Sequence, residues 1–263
     1  MNNILSEKEY QRYIIDQLVK PECGYVEAPA AEFDRLFAVN RKALFAFLEA
    51  TQPEKLQALR KIYKEKTEDT LVAFINQQET RANGSRLDVL KHGVELANIH
   101  LDLMYTKPAT TFNKELNALY HKNIFTVSEE VWASDDERID LVIFLNGLAI
   151  ITFELKCNAA GQSYQDAIYQ YRMQRNPKDR LFLWKAGSLV NFAMDLEQVY
   201  MCTKLSGSST FFLPFNMGCG EGIQVGAGNP LLEDEYSVHY MWDDILQKDS
   251  LLEILGKFMF IEV

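Results

Sequence analysis

The sequence predicts an α/β fold, a mixed β-sheet flanked by helices with a helical N-terminal extension. Three observations predict it. Residues 138–156, RIDLVIFLNGLAIITFELK, are two strongly apolar runs separated by Asn146-Gly147, and Asn-Gly in that setting signals a hairpin because both residues tolerate the positive φ of a tight turn. Upstream, apolar residues recur at helical spacing. Downstream come a capped helical stretch and two more apolar runs. The order strand, hairpin, helix, strand, strand makes a sheet with helices on its faces.

Each element has a local reason. Ser6 caps a helix to about Val19, with Glu9 at its third position and Tyr10, Ile14 and Leu18 at helical spacing. Further helices are predicted at Ala43 to Ala50, Glu54 to Tyr63 and Thr67 to Gln77. The polar, glycine-containing stretch from Gln78 to Ser85 reads as a loop. Strand character begins near Val94 and dominates Asn123 to Trp132 and the hairpin. Ser163 and Asp166 form a capping pair for a helix running to Arg175, which Asn176-Pro177 stops. Leu189 to Met194 and Val199 to Leu205 are the next strands, and a helix over Trp242 to Phe258 closes the chain. The sequence thus reads as one domain over 1–263, with a mainly helical part to 92, a core over 93–205 and a C-terminal loop and helix over 206–263.

Bulk properties exclude several classes. The 263 residues are 48% hydrophobic and 24% charged, ordinary for a globular protein. No apolar run reaches the roughly 20 residues that span a bilayer, and the first residues lack a signal-peptide core, so a cytoplasmic location is expected. Cys23, Cys157, Cys202 and Cys219 show no CxxC pair, and the four histidines, His92, His100, His121 and His239, show no paired metal spacing. GCGEGIQVGAGN, residues 218–229, lacks the lysine of a phosphate-binding loop and is rejected as a nucleotide site.

The chemistry lies at the open end of the hairpin. Asp140 stands at the start of the first apolar run, and Glu154 and Lys156 at the end of the second. Ionisable groups there must meet solvent or a cation, and two carboxylates beside an ammonium suit a magnesium ion. Read alone, Glu154 and Lys156 would equally serve as a surface ion pair. Register sharpens the choice. A two-residue Asn146-Gly147 turn pairs Leu145 with Leu148 and sets Asp140 opposite Phe153, on the wrong face for Glu154. A shared ion therefore predicts one extra residue, in the turn or as a bulge along a strand.

At these residues the chain resembles the PD-(D/E)xK nucleases, and within them the N-terminal endonuclease region of the R (restriction) subunit of type I restriction-modification enzymes. The resemblance rests on DLVIFLNGLAIITFELK, with LDLMYTKPAT at 101–110, QDAIYQY at 165–171, and FFLPFNMG and GAGNP between 211 and 230. It implies a restriction-endonuclease-like fold and a magnesium-dependent DNA endonuclease. Asp140, Glu154 and the Leu155 backbone carbonyl would be metal ligands, and Lys156 would be catalytic. Gln170 matches the glutamine of the family's QxxxY element, whose tyrosine position is Gln174 here; a literal QxxxY also occurs at Gln165 to Tyr169. Glu7 takes the early-helix place of an extra carboxylate. Arg172 and Arg175, with Lys178, Arg180 and Lys185, form a basic cluster that lines either an approach for DNA or a solvated helix end. Tyr164, Tyr169 and Tyr171 serve either base stacking or core packing.

Partners implied by the resemblance are DNA and the modification and specificity subunits. The ATP-driven translocase of a full R subunit has no motif here, so no ATP hydrolysis is expected. A net charge of −10 opposes DNA binding by the chain alone, which keeps open a second reading as a non-catalytic interaction module docking within the complex. A two-carboxylate glycosidase fails, since Lys156 and the hairpin have no role in it.

Overall fold

The computed structural model describes residues 6–110, 112–219 and 227–262. The chain opens with α1 (Glu7–Leu18) and three short strands, β1 (Val26–Glu27), β2 (Phe33–Asp34) and β3 (Val39–Asn40). Helices α2 (Arg41–Thr51), α3 (Pro53–Tyr63), α4 (Thr67–Thr80) and α5 (Arg86–His92) follow, then a ribbon of β4 (Val94–Leu96) and β5 (Ile99–Leu101). After α6 (Lys114–Tyr120) come β6 (Phe125–Trp132), β7 (Arg138–Leu145), β8 (Leu148–Leu155), α7 (Tyr164–Met173), β9 (Val190–Met194), β10 (Val199–Cys202), β11 (Leu213–Pro214) and α8 (Lys248–Glu253).

The main sheet runs β1-β6-β7-β8-β9-β10-β11, with β3 pairing both β2 and β8. It is mixed: β6, β7 and β8 are antiparallel, while β1 joins β6 and β9 joins β8 in parallel. The parallel β8 to β9 step is made through α7, as a parallel connection requires. The expected α/β architecture is present. The N-terminal part is not only helical, because β1 and β3 are built into the same sheet as the hairpin.

The sheet separates two apolar clusters. The larger joins Tyr10, Ile14 and Leu18 of α1, Leu44 and Leu48 of α2, and Leu251 and Leu252 of α8 to Leu141, Ile143, Ile151, Phe153 and Leu155. The smaller joins Ala167 and Tyr171 of α7 to Val142, Phe144, Ala149 and Ala193. With both faces covered, β7 and β8 are buried almost throughout, which explains their continuous apolar runs.

Local signals behaved as their chemistry requires. Ser6 and Glu9 form a reciprocal capping box on α1, and Ser163 and Asp166 do so on α7. Asn146 and Gly147 take φ of 49° and 85°. A Cβ on Gly147 would meet the Asn40 carbonyl at 2.5 Å, so the glycine answers both turn and packing. Asn146 is tied down by its own side chain, which accepts the Ile124 N–H at 2.7 Å and donates to Leu103 O at 2.9 Å.

Some boundaries differ. α7 stops at Met173, two residues early, which frees Arg175 to turn inward. α4 reaches Thr80 into the expected loop, and α5 and α6 were not foreseen. The expected helix at 242–258 is α8 flanked by two wide turns, Met241–Ile245 and Ile254–Phe258, closed by i to i+5 bonds such as Leu246 N to Met241 O at 2.7 Å. Such π turns carry no periodic sequence signal. No described helix is long and apolar enough to cross a membrane. Residues 220–226 of the rejected glycine-rich stretch lie outside the described residues.

Candidate active site

The hairpin contains the extra residue that the chemistry called for. Leu145 pairs with Leu148 across a two-residue turn and Phe144 with Ala149, but Ile143 pairs with Ile151 and Leu141 with Phe153. Ile150 is therefore a bulge in β8. Continuing one step from Leu141 and Phe153 sets Asp140 opposite Glu154, and opposed residues share a face. The shift moves the ionisable end of the hairpin into phase, on the face that carries α7.

Asp140 and Glu154 are both buried, Glu154 completely. Asp140 Oδ2 accepts the Leu155 N–H at 2.7 Å. Glu154 Oε1 accepts from Arg175 Nε at 2.6 Å, whereas its Oε2 is buried with no partner among the described residues. Arg175 also donates to Arg138 O at 3.0 Å. Lys156 lies just past β8, its N–H on Met194 O. Its ammonium sits 2.8 Å from Glu7 Oε2 of α1 and 2.8 Å from the Leu155 carbonyl, the third ligand expected for a metal.

Electrostatics follow from this burial. Desolvation pushes the Asp140 carboxyl up to about 7, offset in part by the Leu155 N–H and reinforced by Glu7. Desolvation and then the neighbouring Asp140 push Glu154 up to about 8, against the pull of Arg175. Lys156 pulls on both carboxyls and Arg175 on Glu154, yet both stay raised, so the pair favours a further cation or a proton. An unpartnered buried carboxylate oxygen costs stability unless something binds it. A hard cation with oxygen ligands fits this donor set.

Sequence reasoning missed Glu130. It lies in β6 between Glu129, paired with Leu141, and Val131, paired with Ile139, and so directly across from Asp140. Its φ is 55°, a strained value for a non-glycine and one that clusters at functional sites. Its carboxylate pairs with Arg138 and adds to the pressure raising Asp140. Glutamate at positive φ has no sequence signature.

Other expected residues divide. Gln170 is half-buried on α7, with its amide oxygen unpartnered among the described residues. Gln174 is exposed and ends α7. The basic cluster does not stay together: Arg175 turns to Glu154, Arg180 pairs inside with Glu79, and Arg172 donates to Thr210 O at 3.0 Å. Tyr171 is core, bonded to Thr152 at 2.8 Å; Tyr164 stacks on Tyr200 at 4.4 Å, and Tyr169 is exposed. None of the four cysteines is in a disulfide, and three of them are buried. His239 lies 2.9 Å from Asp243 and 3.3 Å from Glu235 at the surface, a contact with carboxylates rather than with another histidine.

Residues 4–210 match the family described as the type I restriction enzyme R protein N terminus. The chain belongs to that family. The match includes α1 with Glu7, the bulged hairpin, α7 and β9, and so Asp140, Glu154, Lys156, Arg175 and Glu130. No curated protein matched the chain. The family points to the restriction subunit of a type I enzyme, in the context of DNA and a restriction complex.

Proposed function

We propose that this R-protein N terminus is the magnesium-dependent DNA endonuclease module of a type I restriction enzyme. The observation that carries the reading is the bulge that brings Asp140 and Glu154 to one buried face, with Glu154 Oε2 unpartnered among the described residues. Asp140, Glu154 and the Leu155 carbonyl would hold the ion. When bound, it supplies charge neutralisation at the scissile phosphate and activation of water. The chain's own residues do the rest. The Leu155 N–H and Arg175 fix the two carboxylates, and apolar strands on both sides keep bulk water from competing with them. Lys156 presents a cation at the mouth of the site, where it orients the attacking water and stabilises the negative charge that grows on phosphate, and Glu7 holds that ammonium in place. DNA cleavage would take place within the assembled complex, with modification and specificity subunits present.

A net charge of −10 favours the competing reading, a module that docks without cleaving. Calorimetric titration with Mg²⁺ or Mn²⁺ separates the two: wild type should bind and Asp140→Ala should not. A wild-type chain that binds neither ion would refute the endonuclease reading.

A further inference from the structure

A second buried charge cluster lies on the same hairpin, toward its turn. Arg86, the first residue of α5, is completely buried. Its Nε and Nη2 grip Glu79 of α4 at 2.8 and 3.1 Å, and Glu79 is also held by Arg180. The remaining guanidinium bonds go to main chain. Nη1 donates to Ala149 O at 2.9 Å and Ala38 O at 3.1 Å, and Nη2 to Phe37 O at 3.1 Å.

The placement of those carbonyls is informative. On the edge of β8 away from β7, β3 pairs only at Leu148 and β9 begins only opposite Ile151. Between them, Ala149 and Ile150 have no regular strand neighbour. Ala149 N–H reaches Ala38 O at 3.3 Å, and Ile150 O takes the Leu189 N–H at 2.8 Å. Ala149 O is taken by Arg86. These two residues are also the bulge, the one place where β8 changes register against β7.

We infer that Arg86, backed by Glu79 and Arg180, is a positioning residue for the candidate site: its guanidinium ties the bulge at Ala149 and Ile150 to Ala38 and so holds the register in which Asp140 faces Glu154. This inference rests on the endonuclease reading of that pair. A one-residue slip turns every side chain to the other face, and the bulge is where such a slip would relax. Arginine suits the task because its planar fork carries five donors. It can grip a carboxylate and several carbonyls at once, which the single ammonium of lysine cannot do in the same geometry.

The test compares Mn²⁺ binding to the whole chain with its stability. Arg86→Lys should weaken Mn²⁺ binding by about tenfold, the lower range for loss of a group that orients metal ligands. It should also speed hydrogen exchange across residues 148–153. Leu59→Ala, a core cavity in α3, serves as the control: it should lower Tm yet leave Mn²⁺ affinity and that exchange unchanged. Unchanged Mn²⁺ affinity in folded Arg86→Lys overturns the inference. If Arg86→Lys does not fold, Glu79→Gln replaces it. This variant keeps the guanidinium and loosens its anchor, and a weaker Mn²⁺ isotherm supports the inference while an unchanged one overturns it. Failure of the wild-type chain to bind Mn²⁺ removes the endonuclease reading and this inference with it, so the two failures are distinguishable.

Discussion

The two buried charge clusters on the β7–β8 hairpin are built from the same residue types in opposite proportions. Near the turn, two guanidiniums, Arg86 and Arg180, share one carboxylate, Glu79, and spend their remaining donors on carbonyls of Phe37, Ala38, Ala149 and Ala186 and on Asn76. At the open end, two buried carboxylates have one guanidinium close by, which pairs with Glu154 alone while Asp140 takes the Leu155 N–H, and Glu154 Oε2 has no partner among the described residues. Excess positive charge is easily absorbed by backbone carbonyls, which are everywhere. Excess negative charge needs N–H donors, and paired strands leave few of theirs free; Asp140 has one, from Leu155. The first cluster is therefore closed and structural. The second keeps a demand that a proton or a cation can meet.

The largest expected effect breaks the functional side of that contrast. In the reconstituted restriction enzyme, Asp140→Asn, Glu154→Gln or Lys156→Ala should each reduce DNA cleavage by about 10³-fold, the upper range for loss of one preorganised charge-stabilising group. Circular dichroism and Tm without metal should hold, and Tm should hold or rise in the two carboxylate variants, because like-charge repulsion is relieved. Wild-type cleavage by any of the three would remove that residue from the chemistry.

The closed cluster should respond in the reverse way. Arg86→Ala strands Glu79 in the core and should cost about 3–5 kcal/mol in denaturant unfolding, as expected when a buried ion pair loses one partner. A loss as small as that of a surface pair, under about 1 kcal/mol, would mean that the two clusters do not differ in kind.

pH sharpens the comparison further. Asp140 and Glu154 have folded values raised above their unfolded ones, so between about pH 4 and pH 8 the folded chain binds more protons and metal-free stability must fall as pH rises. At about 1.4 kcal/mol per pKa unit the decline should reach several kcal/mol, and it should flatten in the Asp140→Asn, Glu154→Gln double variant. Thermal unfolding in a pH series checks it, and an equal decline in the double variant would assign the titration elsewhere.

The smallest effect concerns DNA itself. Arg175 and Arg180 are committed to the two clusters, and the net charge is −10. The isolated chain should bind DNA with a Kd weaker than about 10⁻⁴ M at physiological salt, strengthening as salt is lowered. Tight, salt-insensitive binding in a mobility-shift titration would show that DNA is gripped by something other than surface charge.

Much of this was legible in the sequence. Capping boxes at Ser6 and Ser163, the Asn146-Gly147 turn and the apolar runs of β7 and β8 are local, and local hydrogen bonding and turn sterics decide them. The need for one extra residue was also legible, because strand period is two and a two-residue turn leaves Asp140 out of phase with Glu154. Its place at Ile150 was not, since that depends on where β3 ends, where β9 begins and what occupies the gap. Nor was the inward turn of Arg175, which follows from α7 ending at Met173, or the strained Glu130 across from Asp140. The sequence by itself determined which residues are ionisable at the end of an apolar hairpin and that they need a cation or water. Only the tertiary structure decided which oxygen is left unpartnered, because that is set by the register of three strands, by Arg175 turning inward just past the end of α7, and by Arg86 reaching the bulge from α5.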